Sequence, residues 1–219
     1  MAIFSQEIYK VVTIGLNALE LSQASGKTPR NPVSEAHYLS AWVTKSLKQQ
    51  SFDRSVVKTL MMWQQQGRSM GKNAQLKLNF ECLAETFSGV VNAEGEEKRV
   101  THTTLQGFYA ALEHDDWLIT KEFEVNRKVT HFTDGQASLV VCSKQSQNAF
   151  DEQGELVKPL SLYVRGNIQP FIDLAFASGL LLFKVTDYKS KVKYHGEFVI
   201  YPANNGEHLP ELPTRNLQV

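Results

Sequence analysis

The chain has 219 residues, 42% of them hydrophobic and 21% charged, and its 23 Lys and Arg balance 23 Asp and Glu at no net charge. That composition belongs to a folded protein with a real core, and it removes bulk charge as a reason to bind a polyanion. Two cysteines, Cys82 and Cys142, are too few and too far apart for a disulfide framework or a structural zinc site, and both are expected as buried thiols. No stretch has the apolar length of a membrane span, and Met1 to Val12 lacks the basic start and apolar block of a signal peptide. The expectation is an untargeted cytoplasmic protein with no membrane partner.

The zero total hides an uneven distribution. Residues 1–90 hold ten Lys and Arg against six Asp and Glu, residues 91–160 seven against twelve, and residues 161–219 six against five.

The first ninety residues read as helices. Ser5 to Leu21 places Ile8, Val11, Val12, Gly15 and Leu19 on one face of an amphipathic helix. Gly26, Pro29 and Pro32 then stop it, since proline supplies no N–H to continue a helix. Ser34 is the expected N-cap of a second helix, with Leu39, Trp42, Val43 and Leu47 as its stripe. Ser51 is expected to cap a third, carrying Val56, Val57, Leu60, Met61 and Gln64 as far as Gly67. A fourth runs from about Lys72 to Ser88, with Leu76, Phe80, Leu83 and Phe87 in register and Gly89 closing it. These aromatic and Met stripes read as core and not as a cofactor box; no cofactor is expected.

Between Val90 and Lys98 lies an acidic run without periodicity, read as a solvated linker and domain boundary. Beyond it the sequence is organised around Asn167 to Pro202. There Ile168, Phe171, Ile172, Ala175 and Phe176 keep helical spacing after Asn167, and Ser178-Gly179 ends the helix. Leu180 to Tyr188 and Val192 to Tyr201 then read as a hairpin turned at Lys189-Ser190-Lys191. Sliding back 63 positions lays Thr104 on Asn167, Phe108 on Phe171, Trp117 on Leu180 and Lys121 on Lys184. A strand precedes each helix in this reading, at Lys98 to His102 and at Leu160 to Arg165. Internal duplication and coincidence of a common pattern both remain open readings. The polar loop Gln145 to Glu155 separates the two units, and the chain after Pro202 reads as an extended, lightly attached tail.

The fold class is therefore α+β. A helical domain of about four helices, residues 1–92, precedes an α+β domain, residues 97–202, in which units 97–144 and 160–202 share one antiparallel sheet; residues 203–219 form the tail.

The most specific local feature is the basic content of the second to fourth helices: Lys45, Lys48, Arg54, Lys58, Arg68, Lys72 and Lys77, opposed between Thr44 and Lys77 only by Asp53. Several of these lie off the apolar stripes and can grip phosphates, although a charge run also serves simply to solvate a helix. Residues 34–66 can be read as a helix-turn-helix, but the junction Gln49 to Phe52 lacks the usual glycine. A second candidate is the hairpin bearing Lys189, Lys191 and Lys193, where Lys191, Lys193 and His195 would alternate onto one face. An edge strand guarded by lysines reads the same way.

Enzymatic features are scarce. The six histidines show no metal-ligand spacing, and neither a phosphate-cradling glycine loop nor a Gly-x-Ser-x-Gly elbow is present. No metal is expected, and His114-Asp115-Asp116 reads as a polar helix end. His131 with Asp134, and His195 with Asp187, are the acid–base pairs that the duplication would create.

The strings His37 to Arg54 and Lys184 to Pro202 resemble a bacterial family known as domain of unknown function 2913. The resemblance implies nearly full-length similarity and a cytoplasmic, gammaproteobacterial origin, and it brings no activity, cofactor or catalytic residue. The leading functional expectation is a non-enzymatic binding protein that meets nucleic acid through its basic helical face. A protein–protein adaptor or homodimer is the second reading, and an enzyme of unspecified reaction the third.

Overall fold

A computed structural model describes residues 3–90 and 98–214. The chain divides into two compact units, a helical one up to Gly89 that also takes in Glu207–Leu209, and an α+β one formed by Val90–Gly206 and the chain from Pro210. The acidic run expected as a linker lies, from residue 91 to 97, outside the described residues.

The helical unit contains α1 (Phe4–Ala24), α2 (Pro32–Lys48), α3 (Val57–Met70) and α4 (Leu76–Gly89). Their apolar stripes meet in one core: Ile8, Val11 and Leu19 of α1, Leu39 and Val43 of α2, Leu60 and Trp63 of α3, and Phe80 and Leu83 of α4 are all nearly inaccessible. Trp63 and Phe80 stack with ring centroids 4.7 Å apart. Gly15 admits Phe80, because a Cβ there would stand 2.8 Å from its ring.

Helix starts differ from expectation for identifiable reasons. Asn31, not Ser34, caps α2 by accepting from the Ser34 amide at 2.9 Å, and Pro32 occupies the first turn, where its missing N–H costs nothing. Asp53, not Ser51, accepts from the Ser55 amide and opens a short 3₁₀ turn, Arg54–Val56, ahead of α3. Gly67 does not end α3: a Cβ there would sit 2.6 Å from Ser40 Oγ, so this glycine serves the close approach of α2 and α3. A second 3₁₀ turn, Gly71–Ala74, and the left-handed Gln75 delay α4 to Leu76.

In the α+β unit the elements run α5 (His102–His114), β1 (Leu118–Thr120), β2 (Ser138–Val141), α6 (Ser143–Ala149), β3 (Leu160–Arg165), α7 (Ile168–Ala177), β4 (Phe183–Thr186) and β5 (Gly196–Ile200). The five strands form one sheet in the order β1-β2-β3-β5-β4. It is mixed, not antiparallel: β1 pairs parallel with β2 while the other three pairings are antiparallel. A parallel neighbour requires the chain to return to the strand's starting end, and residues 121–137 supply that crossover. Phe108 and Leu112 of α5 and Phe171 and Ala175 of α7 pack on Leu139, Leu162, Val164 and Phe198 of one sheet face. The opposite face presents Val140, Cys142 and Tyr163, which meet Val125 of the crossover and Val192.

Both helix-strand-strand segments put their first strand at a sheet edge and their second beside β3. The likeness ends there. β1 runs with its partner and β4 against its own, so no rigid rotation superposes the two segments.

Other expectations shift as well. Thr101 makes only an isolated bridge to Glu155 and instead caps α5 by accepting from the Thr104 amide at 3.1 Å. Helix α6 takes up the start of the loop expected from Gln145, leaving Asp151 to Gly154 as the turn, with Gly154 at φ +77°. Cys142 is buried, whereas Cys82 is only half-buried.

Among the described residues after Pro202, the chain is tied back to the α+β unit at Asn204, Glu211 and Thr214. Asn204 is almost fully buried; its side chain accepts from the Leu181 amide at 2.7 Å and donates to the Gly179 carbonyl at 3.0 Å. Further along, the Glu211 amide donates to the Leu182 carbonyl and the Thr214 amide to Asp173 Oδ1. Leu181 and Leu182, read as part of a strand, thus find their partners in the returning chain, while the Leu180 amide donates to the Ala175 carbonyl of α7.

Candidate nucleic-acid interface

Where α2 and α3 approach, their small side chains leave a groove of about 540 Å³. Ser40, Ala41 and Thr44 line it, and the long side chains of Lys45, Lys48 and Arg68 rise beside them with His37. Thr44 braces it: its hydroxyl donates to the Ser40 carbonyl at 2.9 Å and accepts from Gln64 Nε2 at 3.1 Å. Among the described residues no carboxylate lines the groove, and neither lysine nor Arg68 belongs to an ion pair. Three cations over a hydroxyl-rich floor, exposed to water, can accept phosphate oxygens.

The remaining basic candidates fall elsewhere. Arg54 stands on the 3₁₀ turn beside Asp53, and Lys58 on the first turn of α3; neither lines the groove. Lys72 borders a separate hollow of about 340 Å³ that also contains Glu35, Glu81 and Lys77. There Lys77 Nζ pairs with Glu35 at 2.9 Å. Burial pushes the Glu35 carboxyl upward, but hydrogen bonds from Lys77 and Gln23 outweigh it and hold the group below its ordinary range. This hollow is internally neutralised in a way the α2–α3 groove is not.

Lys189, Lys191 and Lys193 do not sit on a regular ribbon. β4 ends at Thr186 and β5 starts at Gly196, so all three lysines occupy an irregular, exposed loop. Val129 of the crossover bridges to Val192, and Ser190 folds back on Val192 through its hydroxyl. These contacts break the alternation that placed His195 with the lysines: His195 is completely buried.

His131 and His195 meet each other and not their expected aspartates, with ring centroids 5.8 Å apart and planes near perpendicular. Asp134 and Asp187 are exposed, and Asp187 pairs with Lys184. His195 Nδ1 lies 2.9 Å from the Lys193 carbonyl, which only accepts, so that nitrogen carries the proton and Nε2 accepts from the Ser138 hydroxyl at 3.0 Å. The Thr120 hydroxyl hydrogen-bonds His131 Nε2 at 2.9 Å, while His131 Nδ1 has no partner. Burial lowers both imidazoles from their ordinary value; for His195 the bond to the Lys193 carbonyl opposes this, and the charges of His131 and Arg165 add to it. Ser138 and His195 are both inaccessible, so this hydrogen-bonded pair fastens the 187–195 loop to the sheet, as Thr120 and His131 fasten the crossover, instead of offering a nucleophile. Sequence reading missed Ser138 and Thr120, because a lone hydroxyl at a strand end carries no signal until the chain is folded.

Among the described residues no three His, Cys, Asp or Glu side chains gather to hold a metal ion, and no helix is long and apolar enough to cross a membrane. Comparison with curated proteins and with solved structures returned no match. A family model does match, over residues 3–213, and by it the chain belongs to the family described as Protein of unknown function (DUF2913).

Proposed function

We propose that this is a non-enzymatic binding protein that holds nucleic acid by its phosphate backbone in the α2–α3 groove. The observation that carries the reading is the grouping of Lys45, Lys48 and Arg68 around one hollow with no carboxylate among its described lining. Arg54, Lys58 and Lys72 flank this contact as weaker, non-lining cations. Contacts of this kind position a strand without reading bases, so modest sequence preference is expected.

The test is a titration of labelled duplex and single-stranded DNA and RNA at two salt concentrations. Three phosphate contacts give a slope of log K against log salt near about −2.7 on duplex. Replacing Lys45, Lys48 and Arg68 together by alanine removes that slope while changing stability by no more than about 0.5 kcal/mol per substitution, since all three are exposed. Absent or salt-insensitive binding by the intact chain refutes the proposal.

A protein partner or a homodimer is the second reading, and a separate observation favours it. Met61, Met62 and Met70 of α3 are all exposed, and flexible methionines suit adaptable protein surfaces. Light scattering across a concentration series tests the homodimer, and a strict monomer ends that form of it. We also read residues 1–92 and 97–202 as domains that fold separately, supported by the compactness of each unit.

A further inference from the structure

The geometry points to a second binding surface, in the α+β unit, where Phe132 and Tyr194 stack the bases of a single-stranded nucleic acid while Lys191 and Lys193 hold its phosphates. This deepens the nucleic-acid reading by naming a form of the ligand, but it rests on different residues.

Exposed aromatic rings start the argument. Phe132 is 86% exposed, Tyr188 80% and Tyr194 62%, although aromatic side chains supply the largest burial energies available to a fold. Leaving three of them in water is costly unless something covers them.

Their placement follows from what lies beneath. The Val129 amide donates to the Lys191 carbonyl at 2.9 Å, and the Lys193 amide donates to the Val129 carbonyl at 2.8 Å, so the crossover and the 187–195 loop run side by side. Val192 is fully buried between the exposed Lys191 and Lys193. Two residues further along each segment, His131 and His195 turn inward and touch. Their chain neighbours Phe132 and Tyr194 are thereby turned to the solvent, above a base fixed by the Ser138 and Thr120 hydrogen bonds. Tyr194 is held at φ +66°, a backbone conformation that favours glycine or asparagine, yet the position carries a tyrosine.

Charge complements the rings. Lys189, Lys191 and Lys193 alternate through the loop, and Arg127 and Lys128 precede Val129 on the crossover. All five are exposed, and none belongs to an ion pair among the described residues. Lys193 Nζ lies 4.9 Å from the centre of the Tyr194 ring, which puts a cation beside a stacking platform, where a phosphate follows its base. Interleaved rings and unpaired cations on a rigid base are the arrangement that grips single strands without reading their sequence. A duplex keeps its bases stacked inside and has no use for the rings.

The experiment titrates the full chain with fluorescein-labelled oligo(dT) and oligo(U) of about 10 nucleotides. Saturable binding is expected, weakened about five- to hundredfold by Phe132→Ala or Tyr194→Ala and preserved by Tyr194→Phe. Lys191→Ala should reduce the salt slope by about 0.7. Unaltered circular dichroism in the exposed alanine variants separates lost stacking from lost fold. Duplex binding through Lys45, Lys48 and Arg68 stays intact in these variants, so the two surfaces fail separately. Single-strand binding that is absent, or indifferent to the aromatic substitutions, or abolished by the Lys45, Lys48 and Arg68 triple variant alone, overturns the inference.

Discussion

The groove of the helical unit and the hydrogen-bonded network of the α+β unit treat polar side chains in opposite ways. In the first, Lys45, Lys48 and Arg68 stand in water around a groove, attached to helices whose cores are apolar. In the second, Ser138, His195 and Asn204 are buried, each satisfied by a partner distant in sequence. An exposed polar group contributes little to stability and is free to meet a ligand; a buried one must be paired, and the pairing fixes the shape of whatever it joins. Substitutions in the α+β network should therefore damage the fold, and those around the groove should spare it.

Asn204 should give the largest effect. Its amide satisfies the Leu181 N–H and the Gly179 carbonyl while holding a left-handed backbone at φ +58°, which asparagine tolerates better than most residues. Asn204→Ala leaves the buried Leu181 amide unpaired, at about 1–3 kcal/mol, and the part-buried Gly179 carbonyl without its donor at a smaller cost, so a loss of about 2–4 kcal/mol is expected in urea unfolding. Asn204→Asp retains the acceptor for Leu181 but presents an oxygen to the Gly179 carbonyl, and is also destabilising. A variant as stable as the parent would mean that the returning chain is dispensable.

Gly67 sharpens the comparison from the other side, because it shows that the helical unit too has, besides Gly15, a position where nothing can be added without a clash. A methyl group there meets Ser40 Oγ at 2.6 Å and Ser40 Cβ at 2.9 Å. Overpacking of this kind costs about 1–3 kcal/mol, and the helix propensity gained over glycine returns up to about 1 kcal/mol. Gly67→Ala is expected to lower stability by about 1–2 kcal/mol, with Ser40→Ala recovering part of it by removing the nearer atom. The same variant widens the groove floor, so nucleic-acid affinity should fall more than the stability loss alone explains. Full additivity of the two substitutions would show that the helices do not touch there.

The same contrast explains what could be read without coordinates. In the helical unit, Ile8, Leu39, Leu60 and Phe80 recur at helical spacing and are core, because helix formation is local and its pattern is written in neighbouring residues. The errors there concern single residues such as Asn31 and Gly67, whose role is decided by one hydrogen bond or one close contact. The α+β unit depends on pairings between distant segments. Nothing near Leu118 says that β1 will run parallel to β2, and nothing near Leu181 says that Asn204 will return to satisfy its amide. For the groove, the cationic residue types were legible, but which of them share a hollow was not. Lys45, Lys48 and Arg68 converge only because Ser40 and Gly67 let two helices close, while Lys77 is neutralised by Glu35, 42 residues earlier.

The histidine pair gives the smallest effect, and it separates the units by pH. Burial holds both imidazoles below their ordinary value near 6.5, which the unfolded chain retains. Between those values the unfolded chain binds protons that the folded chain does not, so stability is full above pH 6.5 and is lost as pH falls through the folded values. The slope is at most about 1.4 kcal/mol per pH unit for each imidazole. Carboxylates held low, such as Glu35 and Asp173, have ordinary values of 4.5 and 3.8 and lose their contribution only below those values, so the upper part of the histidine window lies clear of them. Unfolding followed by denaturant between pH 7.5 and 5.5 should thus hold level down to about pH 6.5 and then weaken in the parent chain, and stay nearly level throughout in His131→Gln/His195→Gln, at a lower absolute stability. Because His131 and His195 fasten the crossover and the 187–195 loop, protection of the Val129 and Lys193 amides from hydrogen exchange, measured against the intrinsic rate at each pH, should fall over the same interval. A slope that survives the double substitution would assign the proton uptake to groups outside this contact, and with it the tie between the two segments would lose its pH dependence.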